Sequence, residues 1–126
     1  MAGKFEPKEP VQLNPPNYTP ISVDDLGKHN GVGGQSCYVA IKGIVFDVSG
    51  KDAYQPGGSY SAFAGKDASR ALGLMSTKPE DVRPDWYDLG DKEKKTLDDW
   101  YTFFSKRYNV VGTVEGATNK DPNSSL

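Results

Sequence analysis

The chain has 126 residues, of which 36% are hydrophobic and 25% charged, enough for one domain with its own core and too few for two ordinary domains. Its 15 basic and 17 acidic residues give a net charge of −2 and are interspersed, which argues against a nucleic-acid partner because no basic stripe is present. Cys37 is the only cysteine, so an intramolecular disulfide is excluded. No apolar run approaches the roughly 18 residues that span a bilayer, and we expect a soluble, cytoplasmic chain without a transmembrane segment.

The first 19 residues are rich in proline and offer few apolar side chains to a core. We therefore predict an extended or disordered N-terminal extension over residues 1–19, a single domain over 20–114, and a disordered tail over 115–126. Within the domain, Ser22 is a suitable N-cap for a short helix over Val23 to His29, which Asn30 and Gly31 would end.

Two β-rich runs follow, and their separation is typical of a tight hairpin. The strands are predicted over Tyr38–Ile41 and Ile44–Val48, with Lys42 and Gly43 in the turn. A hairpin alone is only marginally stable, so helices must cover it. Alternation predicts that its core-facing side chains are Val39, Ile41, Ile44, Phe46 and Val48.

The stretch from Ala53 to Leu72 combines a turn with two tyrosines and the start of a helix. Pro56 fixes its own φ, and the two glycines that follow permit positive φ, so the turn should be rigid. Tyr54 and Tyr60 flank this turn. Asp67 is a good N-cap and predicts a helix from there to about Met75.

The longest predicted helix runs from Lys92 to about Lys106, with Asp91 as its cap. After it, the β-branched run from Tyr108 to Val114 predicts one more strand. The spacing of the apolar residues defines one broad helical face, which we assign to the core, formed by Leu97, Trp100, Phe103, Phe104 and Tyr108.

His29 is the only histidine, and we interpret it as a surface residue at a helix end. A zinc site cannot be assembled from the available residues, and a nucleophile system would need His29 beside a serine or Cys37, which the spacing does not suggest. The sequence thus favours a protein that is not an enzyme.

Three tyrosines, Tyr54, Tyr60 and Tyr108, remain as the distinctive side chains. A ferric ion can displace the phenolic proton, and axial tyrosine is an accepted form of heme ligation. The residues alone leave the choice open between an iron ligand, the lining of a small-molecule pocket and an ordinary aromatic core.

Three segments together resemble the membrane-associated progesterone receptor family, a branch of the cytochrome b5-like proteins. They read YVAIKGIVFDVSG, AYQPGGSYSAFAGKDASRALGLMS and LDDWYTFFSKRYNVVGTV. The resemblance implies an α+β, cytochrome b5-like fold, in which a small mixed β-sheet is covered by short helices and a cleft holds heme.

The resemblance also implies the site residues. Tyr60 would be the axial ligand of the iron of heme b, while Tyr54, Arg107 and Tyr108 would form hydrogen bonds near the heme or its propionates. Gln55 stands where the family commonly has glycine, and we expect its side chain to narrow the mouth of the pocket.

By the same resemblance, the function implied is a five-coordinate ferric heme protein that acts as a heme-dependent adaptor, sensor or carrier. Its partners would be sterol-metabolising cytochrome P-450 monooxygenases, at the surface of the endoplasmic reticulum, and two domains would associate as a heme-stacked homodimer. The alternatives are a sterol or steroid-binding module without obligatory heme, a low-potential electron-transfer component, and an interaction scaffold without a ligand.

Overall fold

A computed structural model describes residues 13–34 and 36–115, so the predictions for residues 1–12 and 116–126 lie outside the described residues. Within these residues the fold is α+β, with one five-stranded mixed sheet, three α-helices and four short 3-10 helices. The helices are α1 (Val23–Lys28), α2 (Ser69–Leu74) and α3 (Asp91–Arg107). The strands are β1 (Pro20–Ile21), β2 (Tyr38–Ile41), β3 (Ile44–Asp47), β4 (Lys66–Asp67) and β5 (Asn109–Val114), and their order in the sheet is β1-β5-β3-β2-β4.

The predicted hairpin is confirmed as β2 and β3, which pair in antiparallel register with Ile41 opposite Ile44. Lys42 and Gly43 both have positive φ, at 53° and 80°, as a two-residue hairpin turn requires. The predicted core face is also confirmed, because Val39, Ile41, Ile44, Phe46 and Val48 all lie in one buried hydrophobic cluster.

The helix predicted with Asp67 as its N-cap begins one residue later than expected, at Ser69, and its N-cap is Ala68. Asp67 belongs to β4, where it pairs in parallel with Ala40 of β2, and this pairing holds its backbone extended. Its carboxylate nevertheless accepts the backbone N–H of Ser69 at 3.0 Å. The strand pairing between Asp67 and Ala40, two residues distant in sequence, therefore shifts the start of the helix from the position that the local capping pattern predicts.

A small polar network fixes the hairpin turn against α2. The Asp67 carboxylate also accepts the Ser69 hydroxyl at 2.6 Å and the backbone N–H of Gly43 at 3.1 Å. The Ser69 hydroxyl in turn accepts the backbone N–H of Lys42 at 2.7 Å. These buried groups thus satisfy one another, which is the condition for keeping a carboxylate inside a core.

The strand predicted near the C-terminal end is confirmed as β5, which pairs with both β3 and β1. The segment before β1 lies along β5, and the N–H of Asn17 donates to the carbonyl of Val110 at 3.0 Å. A Cβ at Gly112 would come within 2.6 Å of the Thr19 carbonyl oxygen, so glycine permits this close approach.

The helix α3 lies within one residue of its predicted bounds and covers one face of the sheet together with α2. Leu97 and Phe104 of α3 are fully buried, and the ring of Phe104 contacts the ring of Phe46 edge-on at 5.5 Å. Trp100 and Phe103, on the same predicted face, are only half-buried. The face assigned to the core is therefore divided, and its second part borders an open cavity.

Candidate functional site

A cavity of about 550 Å³ opens beside α3 and is the candidate site. Its volume lies within the roughly 300–1,000 Å³ that small-molecule sites occupy. Most of its wall is apolar or aromatic, with two charged side chains among the lining residues. The residues that line this tyrosine cavity are Gly50, Lys51, Asp52, Ala53, Tyr54, Tyr60, Trp100, Phe103 and Tyr108.

The loop that carries Tyr54 and Tyr60 is tied by its own backbone. The N–H of Tyr60 donates to the carbonyl of Ala53 at 2.7 Å, and the N–H of Gly58 donates to Gln55 at 2.8 Å. A Cβ at Gly58 would lie 2.2 Å from the carbonyl oxygen of Asp52, so only glycine fits there. The turn therefore holds the two phenol rings with their centroids 5.8 Å apart.

Tyr54 forms the floor of the cavity and is 4% exposed. Burial raises the pKa of its phenol well above the ordinary value, and the neighbouring phenols of Tyr108 and Tyr60 and a hydrogen bond with Tyr108 raise it further. Burial also raises the pKa of Tyr108, although Arg107 and the hydrogen bond with Tyr54 oppose this shift. Tyr54 is thus held as a neutral phenol.

Tyr60 differs from these two tyrosines because it is half-buried and projects between two spaces. Its ring stacks on Phe63 at 5.5 Å and meets Trp100 edge-on at 6.1 Å. It lines the tyrosine cavity on one side and a smaller cavity of about 180 Å³ on the other. Within residues 13–34 and 36–115 no group forms a hydrogen bond with the Tyr60 hydroxyl.

Arg107 lies next to the cavity without lining it. Its guanidinium carbon is 3.8 Å from the centroid of the Phe103 ring, which is cation–π geometry. The fold therefore brings three of the four predicted site residues into one cavity, Tyr54, Tyr60 and Tyr108, and places the fourth behind its aromatic wall.

Comparison with known proteins identifies the family and agrees with the fold. Residues 22–113 match the profile described as a cytochrome b5-like heme/steroid binding domain. The chain belongs to this family. Within this cytochrome b5-like family, its relatives include the membrane steroid-binding proteins, which places it in the membrane-associated progesterone receptor branch.

Two relatives illustrate the match. Probable steroid-binding protein 3 of Arabidopsis thaliana is 54% identical over 96 residues, which cover 75% of this chain and 96% of that protein. Cytochrome P450 regulator dap1 of Schizosaccharomyces pombe is 40% identical over 117 residues, covering 86% of this chain and 67% of that protein. An Arabidopsis thaliana structure with a cytochrome b5-like fold superposes with a TM-score of 0.70 at 52% identity, covering 77% of this chain and 91% of that one.

Some relatives are much longer than this family member. Membrane steroid-binding protein 2 of Oryza sativa is 41% identical over 84% of this chain, but the match covers 39% of its own length. None of the helices within the described residues is long and apolar enough to cross a bilayer.

Two expectations about polar side chains were wrong. Gln55 does not narrow the tyrosine cavity, because its amide oxygen is directed at Gly31, 2.9 Å from where a Cβ on that glycine would lie. His29 is half-buried instead of lying on the surface, and its ring stacks on Tyr38 at 4.2 Å. Its Nδ1 is buried without a hydrogen-bond partner in the described part of the chain.

Sequence reasoning missed six of the nine lining residues, and four of these six have aromatic or charged side chains. Trp100 and Phe103 were assigned to the core because their helical spacing matches that of Leu97 and Phe104. A signal was present, since the apolar face of α3 is wider than one small sheet can bury. Lys51 and Asp52 gave no signal, because charged residues before a turn are ordinary surface features.

Alkaline titration should reveal the buried phenol of Tyr54 in this cytochrome b5-like domain. Because the folded state holds the Tyr54 proton more tightly than the unfolded chain, its stabilising contribution is complete below the unfolded pKa of about 10 and is lost as the pH rises beyond it. For this group the loss reaches about 1.4 kcal/mol per pH unit. Urea unfolding from pH 9 to pH 11 should therefore show that the free energy of unfolding falls less steeply with pH in Tyr54→Phe than in the wild type.

The exposed Tyr18 supplies the matched control for that comparison. The free energy of unfolding of Tyr18→Phe should decline with pH as steeply as that of the wild type. Equal slopes for all three proteins would show that the folded state does not hold the Tyr54 proton.

Proposed function

We propose that this chain is a heme-binding protein in which the phenolate of Tyr60 is the axial ligand of a five-coordinate ferric heme b. One observation carries the proposal: the tyrosine cavity presents the half-buried Tyr60, whose hydroxyl has no hydrogen-bond partner among the described residues, whereas Tyr54 is buried as the floor of the cavity. A donor left unengaged in an aromatic cavity is available to a metal.

The choice among the three tyrosines follows from protonation. An iron ligand must lose its proton, and the raised pKa values of Tyr54 and Tyr108 oppose that loss. Tyr60 is the more exposed of the cavity's two turn tyrosines, so its hydroxyl is the more accessible to an iron ion that enters the cavity. We therefore assign the hydrogen-bonding role to Tyr54 and Tyr108, and the ligand role to Tyr60.

The remaining lining residues suit a flat apolar ligand. Trp100 and Phe103 offer ring faces and edges that keep water away, and Arg107 behind Phe103 contributes a positive charge near the rim. Heme when bound would supply a ferric centre that an anionic oxygen ligand stabilises against reduction. A low potential disfavours an electron-shuttle role, and we propose a binding function instead of a catalytic one.

In the cell, we propose that the heme-loaded protein acts as an adaptor, sensor or carrier that supports sterol-metabolising cytochrome P-450 monooxygenases. This proposal draws on the relative named cytochrome P450 regulator, which is 40% identical to this chain. We further propose that an apolar heme face left open by five-coordination lets two copies associate as a homodimer.

Titration of the heme-free protein with hemin tests the ligand assignment. The wild type should develop the absorbance and electron paramagnetic resonance signals of high-spin tyrosinate-ligated ferric heme. Tyr60→Phe, which removes only the ligand oxygen, should lose those signals and bind hemin at least about tenfold more weakly. Tyr18→Phe, the same change at an exposed tyrosine outside the cavity, should match the wild type. An unchanged tyrosinate spectrum in Tyr60→Phe would exclude Tyr60 as the ligand.

A second candidate function is steroid binding in the same cavity without obligatory heme. The cavity volume of about 550 Å³ and its aromatic wall favour it, and they would also accept a neutral polycyclic ligand. Repeating the titration in the presence of progesterone separates the two functions. Progesterone that raises the Tm of the heme-free protein, together with hemin that produces no tyrosinate spectrum, would favour the steroid function.

A further inference from the structure

The mouth of the tyrosine cavity carries a charge pattern that the proposed function does not use. Lys51 and Asp52 are the two ionised side chains among the residues that line the cavity, and both are exposed. The other lining residues are aromatic, alanine or glycine. Among the lining residues, only Lys51 and Asp52 can therefore select a ligand by its charge.

The position of Lys51 is fixed although its side chain is exposed. Its backbone N–H donates to the carbonyl of Val48 at 3.1 Å, and its own carbonyl accepts the N–H of Tyr54 at 3.0 Å. The residue that holds the cavity floor is thus bonded directly to Lys51. The long side chain keeps its freedom, so its ammonium group can move to meet an anion at the mouth.

The ammonium group of Lys51 has no ion-pair partner within the described ranges. Other lysines on the same protein are paired, such as Lys42 with Asp98 and Lys95 with Asp99. A second positive charge, Arg107, lies 3.8 Å over the ring of Phe103, another cavity residue. The mouth itself therefore carries one cation, Lys51, beside one carboxylate, Asp52.

We infer that Lys51 binds a carboxylate at the mouth of the tyrosine cavity and that Asp52 opposes it, so that the cavity selects an apolar ligand bearing acid groups over a neutral one. This inference rests on the proposed function and deepens it. Heme b carries two propionates beside a flat apolar ring and meets this description, whereas a neutral steroid does not. Because Lys51 and Asp52 are exposed, their effects are moderate and decrease with salt.

Two substitutions with opposite expected signs test the inference. At low ionic strength, Lys51→Glu should weaken hemin binding by about tenfold, and Asp52→Asn should tighten it by about threefold. A purely structural effect would not strengthen binding in one variant and weaken it in the other. Both differences should shrink when salt is added to about 0.5 M, where the Debye length is only a few ångströms.

Controls match the charge changes away from the cavity. Lys92→Glu at the start of α3 and Asp24→Asn in α1 alter exposed side chains by the same amounts and should leave hemin binding as in the wild type. Hemin dimethyl ester, titrated in the same detergent buffer, lacks free carboxylates. Its affinity should not differ among the wild type, Lys51→Glu and Asp52→Asn.

The outcomes separate this inference from the proposal beneath it. If the wild type fails to bind hemin with a tyrosinate spectrum, the proposed function and the inference both fail. If the wild type binds hemin but Lys51→Glu and Asp52→Asn bind it with the wild-type affinity, the inference alone is overturned. The same holds if the two substitutions change the affinity for hemin dimethyl ester as much as the affinity for hemin. The predicted opposite shifts for hemin, with none for the ester, would establish Lys51 as the carboxylate-binding residue.

Discussion

Replacing Phe104 with alanine should lower the free energy of unfolding by about 3–5 kcal/mol, because a large ring is removed from a site that is fully buried. Its ring lies between the sheet and the tyrosine cavity. Five other rings would lose a partner in the Phe104→Ala variant. These are Phe46, Tyr54, Trp100, Phe103 and Tyr108, with centroid distances from 5.0 to 6.3 Å.

The neighbouring Phe103 provides the matched control on the same helix. Because it is half-buried and lines the cavity, Phe103→Ala should cost only about 1–2 kcal/mol of stability. It should instead weaken hemin binding, since it removes part of the aromatic wall. Urea unfolding of the two heme-free variants measures the difference, and equal losses of stability would contradict the division of the α3 face into a core half and a cavity half.

Replacing Asp67 with alanine should lower the free energy of unfolding by about 2–4 kcal/mol, although it deletes no large apolar group. The carboxylate accepts hydrogen bonds from the backbone of Gly43 and from both the backbone and the hydroxyl of Ser69. In Asp67→Ala these buried donors would lose their partner. Asp67→Asn keeps the shape and one acceptor oxygen, so it should fall between alanine and the wild type.

Asp99 serves as the control for this substitution. It forms an exposed ion pair with Lys95 one helical turn away, at 3.2 Å, and such pairs contribute little. Asp99→Ala should therefore change stability by less than about 0.5 kcal/mol. If Asp67→Ala and Asp99→Ala destabilised the protein equally in urea, the Asp67 carboxylate would not be the group that joins the hairpin turn to α2.

The elements predicted best were those in which local pattern and tertiary contacts agree. The hairpin of β2 and β3 could be predicted because strand propensity, alternation and the Lys42-Gly43 turn all indicate the same register. The helix α3 was located within one residue because its apolar spacing is long and regular. The start of α2 was misplaced because Asp67 pairs with Ala40, a contact between distant residues that no local signal reports.

The site was predictable in part for a similar reason. Tyr54 and Tyr60 stand out because they flank a Pro-Gly-Gly turn, and Tyr108 was singled out with them, whereas the separate role of each tyrosine came from the family resemblance. The orientation of the Gln55 side chain could not be predicted. It is directed towards Gly31 because two loops pack against each other there. Likewise, the division of the α3 face between Phe104 and Phe103 depends on how far the sheet extends, which only the folded structure specifies.

The pairing of β1 with β5 joins opposite ends of the domain, and it constrains how the protein is made. Tyr18 and Thr113 touch at this junction although they are 95 positions apart in the chain. β5 also lies between β1 and β3 in the sheet, so neither neighbour is complete until this strand has left the ribosome. Synthesis must therefore pass Val114 before β5 can pair with β1 and β3. Until then the hairpin of β2 and β3 lacks its β5 neighbour, and its apolar face and its unpaired strand edge are exposed to aggregation.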